Sequence, residues 1–362
     1  MITMNEKRRD LIQKFAALGS LAVLITVFAF TSPAFFTTSN ALTVALQVCT
    51  IAYLGLGMTV VIITCGIDLS VGSVLALAGV VAALVVKAGA PVWVGMAAGL
   101  AVGCLCGLCN GLFVARTKLP PFIATLGMMM VARGVALRIT GGRPIAGMNQ
   151  DFGVLGNGAL FKTVVIGADG YPDPSRSFVG IPYPVIVMIV LAVVASVVLN
   201  RTRFGRHVYA TGSNVEAARL SGVNVHGTTV SAYVISGFFA GLTGIVLMSR
   251  LVTGQPNEGN AYELDAIAAA VIGGASLTSG GIGTISGTII GAFVIGILRN
   301  GLNMNGVNSF TQMIVIGVVI LFTVWIDQLR NQRSTRLRVF TNQQQEGSSL
   351  PAATSPAQRA VE

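Results

Sequence analysis

Apolar stretches long enough to cross a lipid bilayer follow one another along most of this chain, at about 15–36, 42–65, 69–87, 92–115, 121–138, 182–199, 228–252, 263–278, 282–300 and 309–327. A hydrocarbon core of about 30 Å takes roughly 20 apolar residues per helix. Inside it, backbone donors and acceptors must find partners within the protein. The pattern therefore predicts an all-α polytopic membrane protein of about ten transmembrane helices. Only 10% of the residues are charged, against roughly 25% in soluble domains. The membrane domain is expected to occupy 15–327, between a short N-terminal segment (1–14) and a C-terminal tail (328–362), leaving no room for a separate soluble catalytic domain. Beyond Thr341 the tail is rich in Gln, Ser, Pro and Ala and reads as disordered. The 263–278 stretch is short and rich in Ala and Gly, the composition of a broken or re-entrant helix.

Orientation follows from the basic residues. Lys7, Arg8 and Arg9 precede the first apolar run. That order also fits a secretory signal, but no small-residue cleavage pair closely follows the run and many spans come after it, so an uncleaved first helix is expected. With ten crossings and the N-terminus inside, 15 Lys and Arg side chains fall on the inner side and 7 on the outer, so both termini are expected in the cytoplasm. The net charge of +10 belongs to this topology; no interleaving of basic and aromatic residues marks a nucleic-acid surface.

The two halves of the chain share a faint pattern. Asn110-Gly111-Leu112 and Asn300-Gly301-Leu302 each close an apolar run, and small residues recur at intervals of four in Gly99, Gly103, Gly107 and Gly111, and in Gly283, Gly287 and Gly291. The expected topology places the two runs in opposite directions, the arrangement of an inverted 5+5 repeat. Two loops stand out. One, about 141–181, is rich in Gly, Pro and Asn and is expected outside; the other, about 200–227, is the most polar internal segment and is expected inside.

Several chemistries lack their parts. Cys104, Cys106 and Cys109 have no His or acid beside them, so they read as small packing residues rather than a metal site. The only histidines, His207 and His226, lie in the inner loop, out of reach of a membrane-embedded nucleophile such as Ser276. Gly222 to Thr229 resembles a phosphate loop but lacks its lysine, so energy from ATP requires a partner. No cofactor is expected. Ion-gradient-driven secondary transport is the alternative; it would use ionisable residues within the membrane, here Asp68, Arg133 and Asp265. Asp68 and Asp265 also sit where helices begin, and capping is the plainer role for each.

The most specific segment is Asn214-Val215-Glu216-Ala217-Ala218-Arg219-Leu220-Ser221-Gly222. By itself it describes a short amphipathic helix with a glycine stop. Glu-Ala-Ala followed by Gly is also the motif that importer permeases present to their ATPases. With Gly57-Met58-Thr59-Val60-Val61-Ile62, Gly66-Ile67-Asp68-Leu69-Ser70-Val71-Gly72-Ser73, Phe122-Ile123-Ala124-Thr125-Leu126 and Tyr262-Glu263-Leu264-Asp265-Ala266-Ile267-Ala268-Ala269, it resembles the ribose-type permease family of ATP-binding-cassette importers, from about Lys14 to Asp327.

That resemblance implies a type II importer permease in the bacterial inner membrane, with no catalytic residues of its own. Its implied partners are an ATPase (often two fused domains), a periplasmic sugar-binding protein and a second permease copy or paralogue. Asn214, Glu216, Ala217, Ala218, Arg219 and Gly222 would form the ATPase-coupling helix, the face of Ala217 and Ala218 entering a groove. Thr64, Asp68, Ser70, Ser73, Asn110, Thr125, Asn300 and Asn303 lie near the segment breaks as polar candidates for the translocation pathway, capping and interhelical bonding being the alternative for each.

Overall fold

The computed structural model describes residues 4–117, 119–148, 150–162, 180–325 and 328. Helices dominate it: α1 (Met4–Thr31), α2 (Thr38–Ile63), α3 (Val71–Lys87), α4 (Val92–Thr117), α5 (Pro121–Thr140), α6 (Val154–Asn157), α7 (Tyr183–Arg201), α8 (Arg203–Ser213), α9 (Val215–Leu220), α10 (Val225–Leu251), α11 (Tyr262–Ile272), α12 (Ile285–Met304) and α13 (Ser309–Trp325). Six of them, α2, α4, α5, α7, α10 and α12, are long and apolar enough to cross a membrane. The apolar part of α1 (Phe15–Thr31), α3 and α13 are shorter.

The 263–278 stretch is broken, as its composition suggests: α11 has 11 residues, about 16 Å at 1.5 Å per residue, and a non-helical segment leads from it to α12. Its small residues allow the close packing seen there, but Gly273 and Gly274 end the helix at a turn. The segment before Phe15 is helical from Met4 and continuous with the first apolar run in α1. The all-α expectation needs one correction: the described residues include an antiparallel pair of two-residue strands, β1 (Ala159–Leu160) and β2 (Ile181–Pro182). Much of the expected outer loop, including Asp169, Asp173 and Arg176, and the Gln-rich tail lie outside the described residues.

Helices α2 and α10 form the centre. In its most apolar window α2 is 83% buried, whereas α7 is 17% buried and α4 and α5 are each 22% buried. Packing relies on small residues. In α4, Gly103 meets Gly237 and Gly241 of α10, Gly107 meets Tyr233, and Gly111 meets Val230, each so closely that a Cβ would run into the facing backbone. In α12, Gly287 and Gly291 meet the backbone of Gly273 and Ala269 in the same way. The four-residue glycine spacing is thus the seam along which helices approach, where lipid supplies no hydrophobic drive and van der Waals contact must hold them. Polar ties add to it: the Thr59 and Thr288 hydroxyls, 2.5 Å apart, join α2 to α12, and Tyr53 donates to the Pro184 carbonyl of α7 at 2.5 Å.

Candidate functional site

The polar segment between α7 and α10 folds as an elbow of two helices. Thr202 caps α8, its side chain accepting from Gly205 N–H, and Gly205 brings the start of α8 against the Leu199 carbonyl. One face of α8 (Gly205, Val208, Thr211 and Gly212) is buried. Asn214 then caps α9, accepting from Ala217 N–H at 3.0 Å. At the other end Gly222 adopts φ +81°, its N–H bonding to Arg219 O and the Val223 N–H to Ala218 O, both at 3.0 Å. That is a Schellman ending, which needs a left-handed residue after the last turn. Glu216, Ala217 and Arg219 are exposed, as is Leu220 at 88%. Ala218 is 4% exposed. The expected docking face therefore divides: Ala217 points outward, while Ala218 packs against its own chain, because the six-residue helix lies flat and must bury one side.

Behind the elbow, the connection between α2 and α3 carries the densest polar knot. Asp68 Oδ1 accepts from the Ser70 N–H at 3.0 Å and the Ser70 hydroxyl at 2.6 Å, and Asp68 Oδ2 accepts from the Ser236 hydroxyl of α10 at 2.7 Å. Asn110 of α4 donates to Ser70 Oγ at 2.9 Å. Tyr233 of α10 donates to the Ile67 carbonyl at 3.2 Å. A carboxylate 1% exposed is costly in a membrane unless hydrogen-bonded on several sides, and these contacts bond it on both oxygens. Asp68 thus turns the chain into α3 and also ties α3, α4 and α10 together.

A second polar group lies on the connection from α10 to α11. Arg299 of α12 makes an ion pair with Asp265 of α11 through Nη2, at 2.6 and 2.9 Å, and stands 6.0 Å over the Tyr262 ring. Arg133 of α5 donates through Nη1 to the carbonyls of Pro256 (2.6 Å) and Glu258 (2.7 Å). Asp265 is therefore a salt-bridge partner and not the cap of α11, which has no side-chain cap. In the non-helical 253–261 segment Gly254, Pro256 and Gly259 are buried while Asn257 and Asn260 are exposed, and Arg133 satisfies two of its carbonyls.

The eight candidate pathway residues do not form one surface. Asp68, Ser70 and Asn110 come together in the knot, and Thr125 (0% exposed) reaches its edge, 3.4 Å from Ile67 O. Ser73 is buried on α3. Asn300 is buried on α12 and donates to Asn40 of α2 at 2.9 Å. Thr64 lines a cavity of about 170 Å³ with Cys65, His226 and Tyr233, between the ends of α2 and α4 and the starts of α9 and α10. Asn303 is exposed. Sequence reasoning missed Ser236, Tyr233, Arg299 and Asn40, because only the fold brings each to its partner.

Six helices among the described residues able to span a bilayer, glycine seams and buried polar ties define a multi-pass membrane protein. Residues 40–324 match the family of branched-chain amino acid transport system permease components. The chain is 44% identical over 311 residues to the ribose import permease protein of Escherichia coli (strain K12), covering 86% of this chain and 92% of that one. It is 41% identical to the ribose import permease protein of Bacillus subtilis (strain 168), over 88% and 94%. The xylose transport system permease protein of Haemophilus influenzae (strain ATCC 51907 / DSM 11121 / KW20 / Rd) is 36% identical, over 87% and 96%. The chain belongs to this permease family.

Proposed function

We propose that this chain is the membrane-spanning permease of an ATP-binding-cassette importer for a pentose, with ribose the favoured cargo. The observation that carries this reading is the 44% identity to a ribose import permease across 92% of that protein's length. The capped and exposed α9 supplies the matching geometry: a short rigid helix outside the bundle for an ATPase to grip. An ATPase, a periplasmic sugar-binding protein and a second permease copy or paralogue complete the assembly. The binding protein delivers sugar; ATP binding moves α8 and α9 and switches the access of the pathway. The chain itself performs no covalent chemistry.

The inverted 5+5 repeat and ten passes belong to the same reading, with α11 as a half-length pass. Exchanging α2, α3 and α4 for α10, α11 and α12 turns the α10–α4, α3–α4 and α10–α3 packings into α2–α12, α11–α12 and α2–α11, all of which are present. Non-glycine residues of positive φ follow both central helices, Cys65 after α2 and Val252 after α10. Among the candidate pathway residues, Asp68, Ser70, Ser73, Asn110, Thr125 and Asn300 serve as the frame, each interhelical bond worth about 0.6 kcal/mol. Thr64 and Asn303 are the two that open to space.

Labelled ribose uptake in cells expressing the whole transporter tests the cargo and the energy source together. Uptake should persist when a protonophore collapses the proton gradient while cellular ATP is held constant, and excess unlabelled ribose, but not leucine, should compete. Immediate loss of uptake would favour the ion-driven alternative. Competition by leucine alone would move the cargo to branched-chain amino acids.

Both termini and the α8–α9 elbow face the cytoplasm in this reading, and Phe161 faces outward. Single cysteines at Glu216 and Phe161, both exposed, are placed in a cysteine-free background and probed in intact spheroplasts with an impermeant thiol reagent. Position 161 should label and 216 should not; the reverse pattern would invert the topology.

A further inference from the structure

The elbow packs on α7 and α10, with which it is continuous in sequence, and the last turn of α8 also meets the end of α2. Gly212, on the last turn of α8, lies so close to the end of α2 and to the segment before α12 that a Cβ would collide with the Ile63 carbonyl oxygen and come within 2.5 Å of Gly281 N. Gly281 N–H donates to Ile63 O at 2.8 Å, satisfying a carbonyl that the end of α2 leaves unpaired. The Cys65 thiol stands 3.4 Å from Gly212 O. A Cβ on Gly280 would collide with Gly212 O and with the Cys65 sulfur. One turn earlier on α8, Tyr209 donates to the Gly283 carbonyl at 2.8 Å. Three backbone segments (209–213, 63–65 and 280–283) thus meet closely, with the Cys65, Tyr209 and Ser213 side chains at the contact.

Glycine within a helix is unfavourable by about 1 kcal/mol relative to alanine, so its place in α8 calls for a compensating contact, and the close approach to Ile63 and Gly281 is that contact. Where Gly212 and Gly281 meet Ile63, backbone faces backbone and no rotamer absorbs displacement. From it, one branch runs through Cys65 and Gly66 into the Asp68 knot, and hence to α3, α4 and α10. The other passes through Gly283 to Thr284, which caps α12 by accepting from Gly287 N–H.

We propose that Gly212 and Tyr209 form the joint through which movement of α8 and α9 enters the membrane bundle, driving the end of α2 and the start of α12 together. This rests on the reading that an ATPase grips α9. Both are positioning residues, since neither is assigned a contact with sugar or ATP.

The test uses the complete transporter, with its ATPase and binding protein, in proteoliposomes, and measures sugar uptake and ATP hydrolysis on one preparation. Tyr209→Phe removes a single hydroxyl, and loss of one hydrogen bond corresponds to about a three- to tenfold change. Sugar moved per ATP hydrolysed should fall by that factor, with the ATPase still co-purifying in normal amount. Gly212→Ala should fall at least as far. Purely structural damage lowers uptake and the amount of assembled complex together and leaves their ratio intact. An unchanged ratio in Tyr209→Phe overturns the joint, and that variant decides alone if Gly212→Ala fails to assemble. Ala217→Trp, made in parallel, separates this failure from the other: if it retains the ATPase and full uptake, the docking reading of α9 is what has failed.

Discussion

Replacing Ala217 by tryptophan is expected to abolish uptake while leaving the permease in the membrane at its normal level. Ala217 is exposed on α9 while its neighbour Ala218 is buried, so a larger side chain at 217 extends from the surface rather than into the core. It would, however, fill the space a partner groove must occupy. Uptake should drop by at least tenfold, a loss of about 1.4 kcal/mol or more in partner affinity, and co-purification of the ATPase should weaken in parallel. Gly222→Val should give the same phenotype by another route. Its φ of +81° is poorly tolerated by a β-branched residue, so the Schellman ending loosens and α9 loses its fixed direction. Normal uptake in both variants would reduce the elbow to a surface turn.

The second large effect is expected at Gly107. A Cβ there would collide with the Tyr233 carbonyl and come within 3.0 Å of Val234 Cα, so Gly107→Val must push α4 away from α10. Overpacking of this kind costs about 1–3 kcal/mol, and moving the seam also strains the Asn110–Ser70 bond less than one turn away. The melting temperature in detergent should fall by several degrees, with a lower yield of folded permease. Gly19→Val is the matched control: a Cβ at Gly19 meets nothing within 4 Å, and its stability should stay near wild type. Equal melting temperatures for the two variants would remove the seam as a source of stability.

What could be read from the sequence, and what could not, follows from the range of the forces involved. The glycine seam of α4 was legible because residues four apart share a helix face, so Gly99 to Gly111 announce a contact without naming the partner. The bounds of α9 were legible because Asn214 and Gly222 act on backbone only a few residues away. The inward turn of Ala218 was not, since two adjacent alanines carry no signal for which one meets the bundle. Asp265 read as a cap because it stands near a helix start. Its true partner, Arg299, is 34 residues on, brought in by the packing of α11 on α12. The polar pathway candidates were found by residue type, and type does not say whether a side chain faces a passage or another helix.

The Asp68 knot also bears on how the chain is made. The oxygen that Ser236 meets belongs to a carboxylate synthesised 168 residues earlier. At about 5–20 residues per second, that partner reaches the membrane roughly ten to thirty seconds later. Until it does, one side of a membrane-embedded acid must stay with water or with Ser70 and Asn110. The second oxygen of Asp68 thus gains its native donor only when α10 packs against the α2–α3 connection.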